Sequence, residues 1–340
     1  MRQQLVALLL GEVSKKVRGE MFKPTPEKSA PSYSQAAVPT QVLIGGETAE
    51  IDGRSVAFQM RGYPPDVLLI EARTEVDNLF RRETFALEEK IYEHAYGMLL
   101  AHGGNRDFSE EYSVFLISGY EGPPEAFLDQ SPIMATLLKS ERMELDPKEI
   151  EHTLQTQIKY ARNDLAILDW DGAFLFDAEG ETQEDIELLV LANLQLLRHR
   201  ILDRQLDERL AHMASLVHKT VGRKPLRHKE LIQDLRALVS TRMTSISELH
   251  RLERDIKLIG DWYSARFFEL ATTKFKIEEW RRAIRNKLDS LEDIYSLVAE
   301  NFAVSAKDRA EYIQIIAFFI LQVGWFLLII LEFWYFTHGR

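Results

Sequence analysis

Between Tyr312 and Phe336 the chain carries one charged residue, Glu332. The core of this run, Ile313 to Leu331, is apolar on every helical face apart from Gln314 and Gln322. A helix of about 20 apolar residues spans a hydrocarbon layer about 30 Å thick. The pattern therefore predicts a transmembrane helix over 312–336. Tyr312 at one end and Trp334 with Tyr335 at the other stand where aromatic belts sit. A buried core helix rarely stays apolar on all sides for this length. Only Thr337 to Arg340 follow, which gives the expectation of a tail anchor. Gln322 lies deep in the span, where amides hydrogen-bond across helices, and hints at self-association. Gln314 and Glu332 fall near the two interfaces.

Upstream, Ile277, Trp280, Ile284, Leu288, Leu291, Tyr295, Val298 and Phe302 recur at steps of three and four. That is close to a heptad seam, which packs either within the chain or between chains. A second helical run starts at a Thr182 cap and carries Leu188 to Leu197, then Ile201, Leu202, Leu206 and Leu210. Gly222 and Pro225 stop it. A β-branched cluster at Thr272 to Ile277 marks a break that would fold residues 227–311 into a helical hairpin.

The amino-terminal half reads differently. Ser55–Met60 and Val67–Ala72 read as strands separated by a Gly62-Tyr63-Pro64-Pro65 turn. Thr74 to Leu100 reads as a helix ended by Gly103-Gly104, and Tyr112–Ser118 as a strand. Leu165–Phe176 reads as a hairpin turning at Asp171-Gly172, a pair suited to a type I′ turn. The short apolar run Leu5–Leu10 is read as part of an amphipathic helix over 1–18. Pro24, Pro26, Pro31 and Pro39 mark 19–50 as a linker or arm. The expected layout is a short helix and Pro/Ser-rich arm over 1–50, an α+β domain over 51–180, a helical stalk (hairpin or coiled coil) over 181–311, and one transmembrane helix over 312–336.

Composition narrows the chemistry. The 340 residues include no cysteine, which removes disulfides, thiolate nucleophiles and thiolate metal sites. The net charge of −11 argues against a uniformly basic nucleic-acid binder. It hides a segregation: residues 141–190 hold 14 acids and 4 bases, residues 198–287 hold 21 bases and 12 acids. Internal pairing of the two regions is the favoured explanation. The alternative is a basic surface meeting anionic lipid or RNA. Lys307 and Arg309 before the span and Arg340 after it lean toward a cytoplasmic or matrix-side body.

No phosphate-binding loop, zinc-protease helix or nucleophile elbow is present. Asp169-x-Asp171-Gly172 starts like a calcium loop, but the twelfth position is Gly180. His199, Asp203 and Asp207 share one helical face, an arrangement read as a solvated face rather than a metal site. No catalytic residue, metal or cofactor is assigned. An enzyme site in the α+β domain would draw on His94, His102 and Asp107 by residue type, without an assigned role.

Two stretches carry a resemblance. Ala192–Asp207 and Trp280–Tyr295, followed by a carboxy-terminal membrane helix, resemble the Required-for-Meiotic-nuclear-Division family, as does the Leu165–Phe176 hairpin. The likeness covers roughly 160–335. Its mitochondrial members are oligomeric inner-membrane proteins needed for translation, which implies a membrane-bound oligomer with a protein or ribonucleoprotein partner. The overall plan also resembles the CorA-type magnesium channel. That family has two membrane helices and a Gly-Met-Asn loop between them; here one span is read and Gly97-Met98 is followed by Leu99. The resulting expectation is a tail-anchored, self-associating scaffold or tether rather than an enzyme. Trp280, Ile284, Leu288, Leu291 and Tyr295 would form the self-association seam. Arg281, Arg282, Arg285 and Lys287 would meet lipid headgroups or an anionic partner.

Overall fold

The computed structural model describes residues 1–22, 40–221 and 262–338, with Met243 and Ser247. The prolines of the expected arm, the helix stop at Gly222 and Pro225, most of 227–261 and the last two residues lie outside them.

Among the described residues, nine strands form one sheet. They are β1 (Arg2–Val13), β2 (Glu20–Phe22), β3 (Gln41–Ile51), β4 (Arg54–Tyr63), β5 (Val67–Glu75), β6 (Gly104–Ser118), β7 (Gln157–Ile158), β8 (Asp164–Leu168) and β9 (Gly172–Asp177). Their order is β2-β3-β4-β5-β1-β6-β9-β8-β7. β6 and β9 run parallel, with Ser113 opposite Gly172. The other neighbours are antiparallel.

The first eighteen residues are not a helix. Leu5 to Leu10 form the middle of β1, hydrogen-bonded to β5 on one side and β6 on the other. The apolar run arises because β1 is buried on both faces. Leu5, Ala7 and Leu9 enter one core; Val6, Leu8 and Leu10 enter the other. Strands covered on both faces lose the apolar/polar alternation, and a short apolar run then looks like a buried helix. The expected arm is also partly strand, since β2 and β3 both fall within 19–50. The sheet domain therefore starts at Arg2, not at residue 51.

Helices cover both faces. On the Leu5/Leu9 face lie α1 (Glu83–Ala101), a 3-10 turn at Pro124–Gln130 and α2 (Ser131–Leu138); α3 (Pro147–Leu154) follows. The predicted helix over 74–100 starts late, because Thr74 still belongs to β5. On the other face lie α4 (Gln183–Val221) and α5 (Trp262–Lys274), and the first residue of α6 (Ile277–His338) joins the same core. The expected break at 272–277 is present. Lys276, at φ 50°, turns the chain between α5 and α6. Phe275, fully buried, meets the Tyr112 ring edge-on at 5.4 Å.

The β8–β9 hairpin exists, but its turn is displaced. Asp169 N–H donates to Gly172 O at 2.8 Å, so Trp170 and Asp171 occupy the corner. Neither has a positive φ, so the turn is not of type I′. Gly172 lies inside β9, where a Cβ would stand 2.8 Å from Ser113 O of the parallel neighbour. The Asp-Gly turn with two positive φ angles joins β3 to β4: Asp52 at 53° and Gly53 at 72°.

Two compact units emerge. One comprises Met1–Gln205 and Thr241–Ile284, and contains the sheet and both helix layers. The other comprises Leu206–Ser240 and Arg285–Arg340. Within the latter, Leu206, Met213, Leu288 and Leu291 are buried, and Lys287 pairs with Asp207 at 2.7 Å. It also holds Glu311–Glu332, a 22-residue segment of α6 with mean hydropathy 2.5, long and apolar enough to cross a membrane.

If β1 is the central strand, Leu9→Ala should lower unfolding free energy by about 2–5 kcal/mol, the usual cost of a large buried truncation. Urea unfolding of the purified protein measures it. A loss below about 1 kcal/mol would be typical of a surface position and would contradict the strand assignment.

Candidate functional site

Three buried polar clusters stand out in the sheet unit. The first lies on the α4 face. Arg61, only 1% exposed, donates to Glu71 Oε2 at 2.6 Å, Glu187 Oε1 at 2.6 Å and Gln41 Oε1 at 3.0 Å. Glu71 also accepts from Arg73 Nε, and Arg73 donates to Gln183 Oε1 at 2.6 Å. The Phe22 ring covers the Arg61 guanidinium at 5.4 Å. Burial opposes the Arg61 charge, but Tyr63, Glu187 and Glu71 outweigh it and raise its pKa. Burial pushes the neighbouring Tyr63 phenol well up, reinforced by Glu187. Two arginines face two glutamates, so the cluster is charge-balanced. It pins the first turn of α4 to β3, β4 and β5.

The second cluster lies on the opposite face, between α1 and β6. Ser113 Oγ donates to Glu88 Oε1 and lies 2.9 Å from Tyr92 Oη. One turn further along α1, Tyr96 Oη lies 3.0 Å from Ser109 Oγ. Ser113 and Ser109, four residues apart in β6, lie on the same face of the strand and meet Tyr92 and Tyr96 in turn. Burial raises the Glu88 carboxyl to about 7, against the lowering effect of the Ser113 bond, with Glu111 and Asp171 raising it further. A carboxyl titrating near neutrality beside a hydroxyl chain has general acid/base capacity. Glu88, Ser113 and Tyr92 are 6%, 1% and 7% exposed, so the chain is closed to a substrate in this structure.

The third cluster centres on Asp169 at the β8–β9 corner. Lys274 from the end of α5 approaches its Oδ1 at 3.0 Å, and Lys139 from the end of α2 approaches Oδ2 at 3.5 Å. α2 and α5 cover opposite faces of the sheet, so one carboxylate ties both layers. Here the acidic hairpin region meets the basic helices, as internal pairing requires. Burial and Asp169 raise neighbouring Asp171 to about 6. Burial first, then Glu184, Asp164 and Asp177, raise Asp185 at the start of α4 to about 8.

The expected site residues are placed as follows. Ile284, Leu288 and Leu291 are buried, and Trp280 packs partly against the α4-side core. Ile284, Leu288 and Leu291 are thus engaged within the chain. The Tyr295 side chain lies outside the described residues. Arg281 pairs with Glu278 and Lys287 with Asp207, while Arg282 and Arg285 are exposed. Arg285 and Lys287 precede Glu311 by 26 and 24 residues. That is about 36–39 Å of helix, several Debye lengths at physiological salt. Headgroup contact through them would need α6 to lie along the membrane surface. Gln314, Gln322 and Glu332 are exposed along the apolar segment.

The candidate metal and enzyme constellations do not converge. His199 is buried with Nδ1 2.7 Å from Gln195 O, and Asp207 is taken by Lys287. His94 lies 2.7 Å from Glu47, and His102 Nδ1 lies 2.9 Å from Met98 O. Among the described residues no group of three or more His, Asp or Glu side chains is arranged to hold a metal ion.

Residues 2–183 match the model of the amino-terminal domain of the uncharacterized protein MJ0711. The chain belongs to this MJ0711 amino-terminal-domain family. It is 26% identical over 298 residues to the uncharacterized protein MJ0711 of Methanocaldococcus jannaschii, covering 88% of this chain and 89% of that protein. No solved structure matches. The MJ0711-family domain begins with β1 and ends at the first residue of α4. It therefore contains the sheet and one helix layer but not α4 or α5, which cover the Val6/Leu8/Leu10 face. Similarity to MJ0711 over 298 residues extends past the domain into those helices.

The Glu88 carboxyl sets a pH dependence. Its folded pKa lies above the ordinary 4.5, so between pH 4.5 and about 7 the folded chain holds a proton that the unfolded chain has lost. Stability must fall as pH rises through that window, by roughly 3 kcal/mol from this group. Glu88→Gln should flatten the fall. Urea midpoints at pH 5 and pH 8 test it, and an equal fall in variant and wild type would refute the assignment.

Proposed function

We propose that this chain is a single-pass membrane scaffold whose sheet unit is held on the cytoplasmic (or matrix) side and presents a docking body to a protein or ribonucleoprotein partner. The observation that carries the reading is the continuity of α6. One helix of 62 residues starts in the core beside α5 and contains the 22-residue apolar segment without an intervening loop. A helix of 22 residues is about 33 Å long, matched to a hydrocarbon layer of about 30 Å. Every residue of that segment is exposed within the chain, as a lipid-facing surface requires.

The likeness of Ala192–Asp207 and Trp280–Tyr295 to the Required-for-Meiotic-nuclear-Division proteins supports the same picture of an anchored oligomer. The buried, charge-balanced Arg61 cluster and the closed Glu88 chain support a body built for rigidity rather than turnover. The lysine and arginine side chains before the span favour retention of the body on the side where it is made.

Membranes from cells expressing the full chain provide the test. Alkaline carbonate should leave the wild type in the membrane pellet. Ile320→Lys with Leu327→Lys places two charges mid-span, each costing about 2.5–3.5 kcal/mol on insertion scales, and should move most of the protein to the supernatant. Release of the wild type by carbonate would refute the anchor. Mass spectrometry of the wild type purified in mild detergent should show a homo-oligomer with a specific partner; a lone monomer would refute the scaffold.

A further inference from the structure

The hydrogen-bonding side chains of the apolar segment lie on one stripe. At about 100° per residue, and taking Gln314 as the origin, Trp325 falls at about 20°, Glu311 at about 60°, Gln322 at about 80° and Glu332 at about 0°. Tyr312, at the segment's end, is the exception at about 160°. Phe318 and Ile329 fall inside the same arc and complete steps of three and four, a heptad face. The rest of the circumference is aliphatic, aromatic or glycine. Gln314, Gln322 and Glu332 are exposed and have no hydrogen bond or ion pair to any described residue.

We propose that this stripe, centred on Gln314 and Gln322, is the surface through which two copies of the chain associate inside the membrane. The proposal rests on the anchored reading above and names its self-association surface. A primary amide has both donors and an acceptor. Gln314 lies nearer the interface on the same stripe; Gln322, deep in the span, finds no partner among lipid tails, and an unmet polar group there is costly. The same amide on a second copy satisfies it, because donor meets acceptor when two identical faces meet about a two-fold axis. Among the described residues this chain offers no second helix long and apolar enough to supply the partner. Both copies hold their bodies on one side, so the helices run parallel and Gln322 meets Gln322. Glu311 and Glu332 lie about 32 Å apart along the axis, at the two headgroup levels, where water screens their like charges. The heptad spacing of the stripe keeps it at the contact along a left-handed pair.

Full-length protein, labelled with donor or acceptor fluorophores at its amino terminus, is reconstituted in phosphatidylcholine vesicles, and energy transfer is followed as lipid is added. Wild type should self-associate. Gln314→Leu with Gln322→Leu should need at least tenfold more protein per lipid for the same transfer. Phe319→Leu, at about 140° on the wheel, should behave as wild type. Flotation of the same vesicles reports insertion separately. Unchanged association in the double variant, or no wild-type transfer at any ratio, overturns the stripe while leaving the anchor standing. Transfer that appears only after adding a membrane extract gives the stripe to another protein and overturns the second-copy assignment. Wild type that fails to float overturns the anchor and the stripe with it.

Discussion

The centre of the sheet is dry on both faces, and the rest of the body follows from that. β1 sends Leu5, Ala7 and Leu9 one way and Val6, Leu8 and Leu10 the other, with β5, β6 and β9 doing the same. At about 25 cal/mol per Å² of apolar surface, leaving either face open would cost more than the few kcal/mol by which domains are stable. Two helix layers are therefore obligatory. The first follows directly in sequence, as α1 and α2. The second comes from α4 and α5, beyond the MJ0711-family domain. That domain is thus completed by the same helical region that leads on to the apolar segment.

Each polar cluster answers a problem posed by this dry sandwich. α4 must start at one place on the β3–β5 end, and the Arg61 cluster fixes it with directional bonds that apolar packing cannot supply. Burying ions costs energy, so the cluster is weak evidence for stability but stronger for register. Asp169 solves the other problem, holding Lys139 and Lys274 from the two layers at the hairpin corner. Glu88 is different in kind. It has hydroxyl neighbours instead of a cation, and nearby Glu111 and Asp171 oppose its charge. Desolvation wins there, and the carboxyl is kept neutral well above its ordinary range.

The sequence pattern was legible where a strand or helix shows one face to water or sits between strong breakers. β4, β5, the bulk of α1, the β8–β9 hairpin and the break at Lys276 all follow from such signals. β1 was misread because its two-sided burial erases the period of two. β3 was hidden by its Gly45-Gly46 pair and its nearness to prolines. The Asp-Gly rule was sound but applied at the wrong pair: Asp52-Gly53 makes the left-handed turn, whereas Gly172 is demanded by the close parallel approach of β6. Glu88, Tyr92 and Tyr96 recur every four residues along the sheet-facing side of α1, among Phe85, Ile91, Ala95 and Leu99, a signal present in the sequence. Arg61 and Glu71 carried none, since only the folded sheet brings them together.

The heptad seam shows that a period can be read from the sequence while its packing partner cannot. Ile284, Leu288 and Leu291 recur as a coiled coil would, yet all are buried within the chain. The same continuous helix then carries a second, differently phased stripe through the apolar segment. There the demand for a partner reverses. In water an apolar face demands a partner and a polar one does not; in hydrocarbon the apolar faces are content and the polar stripe makes the demand. On the anchored reading proposed above, one helix obeying one packing geometry meets two solvents along its length. The residues that seek a partner then change from leucine to glutamine where it enters the second.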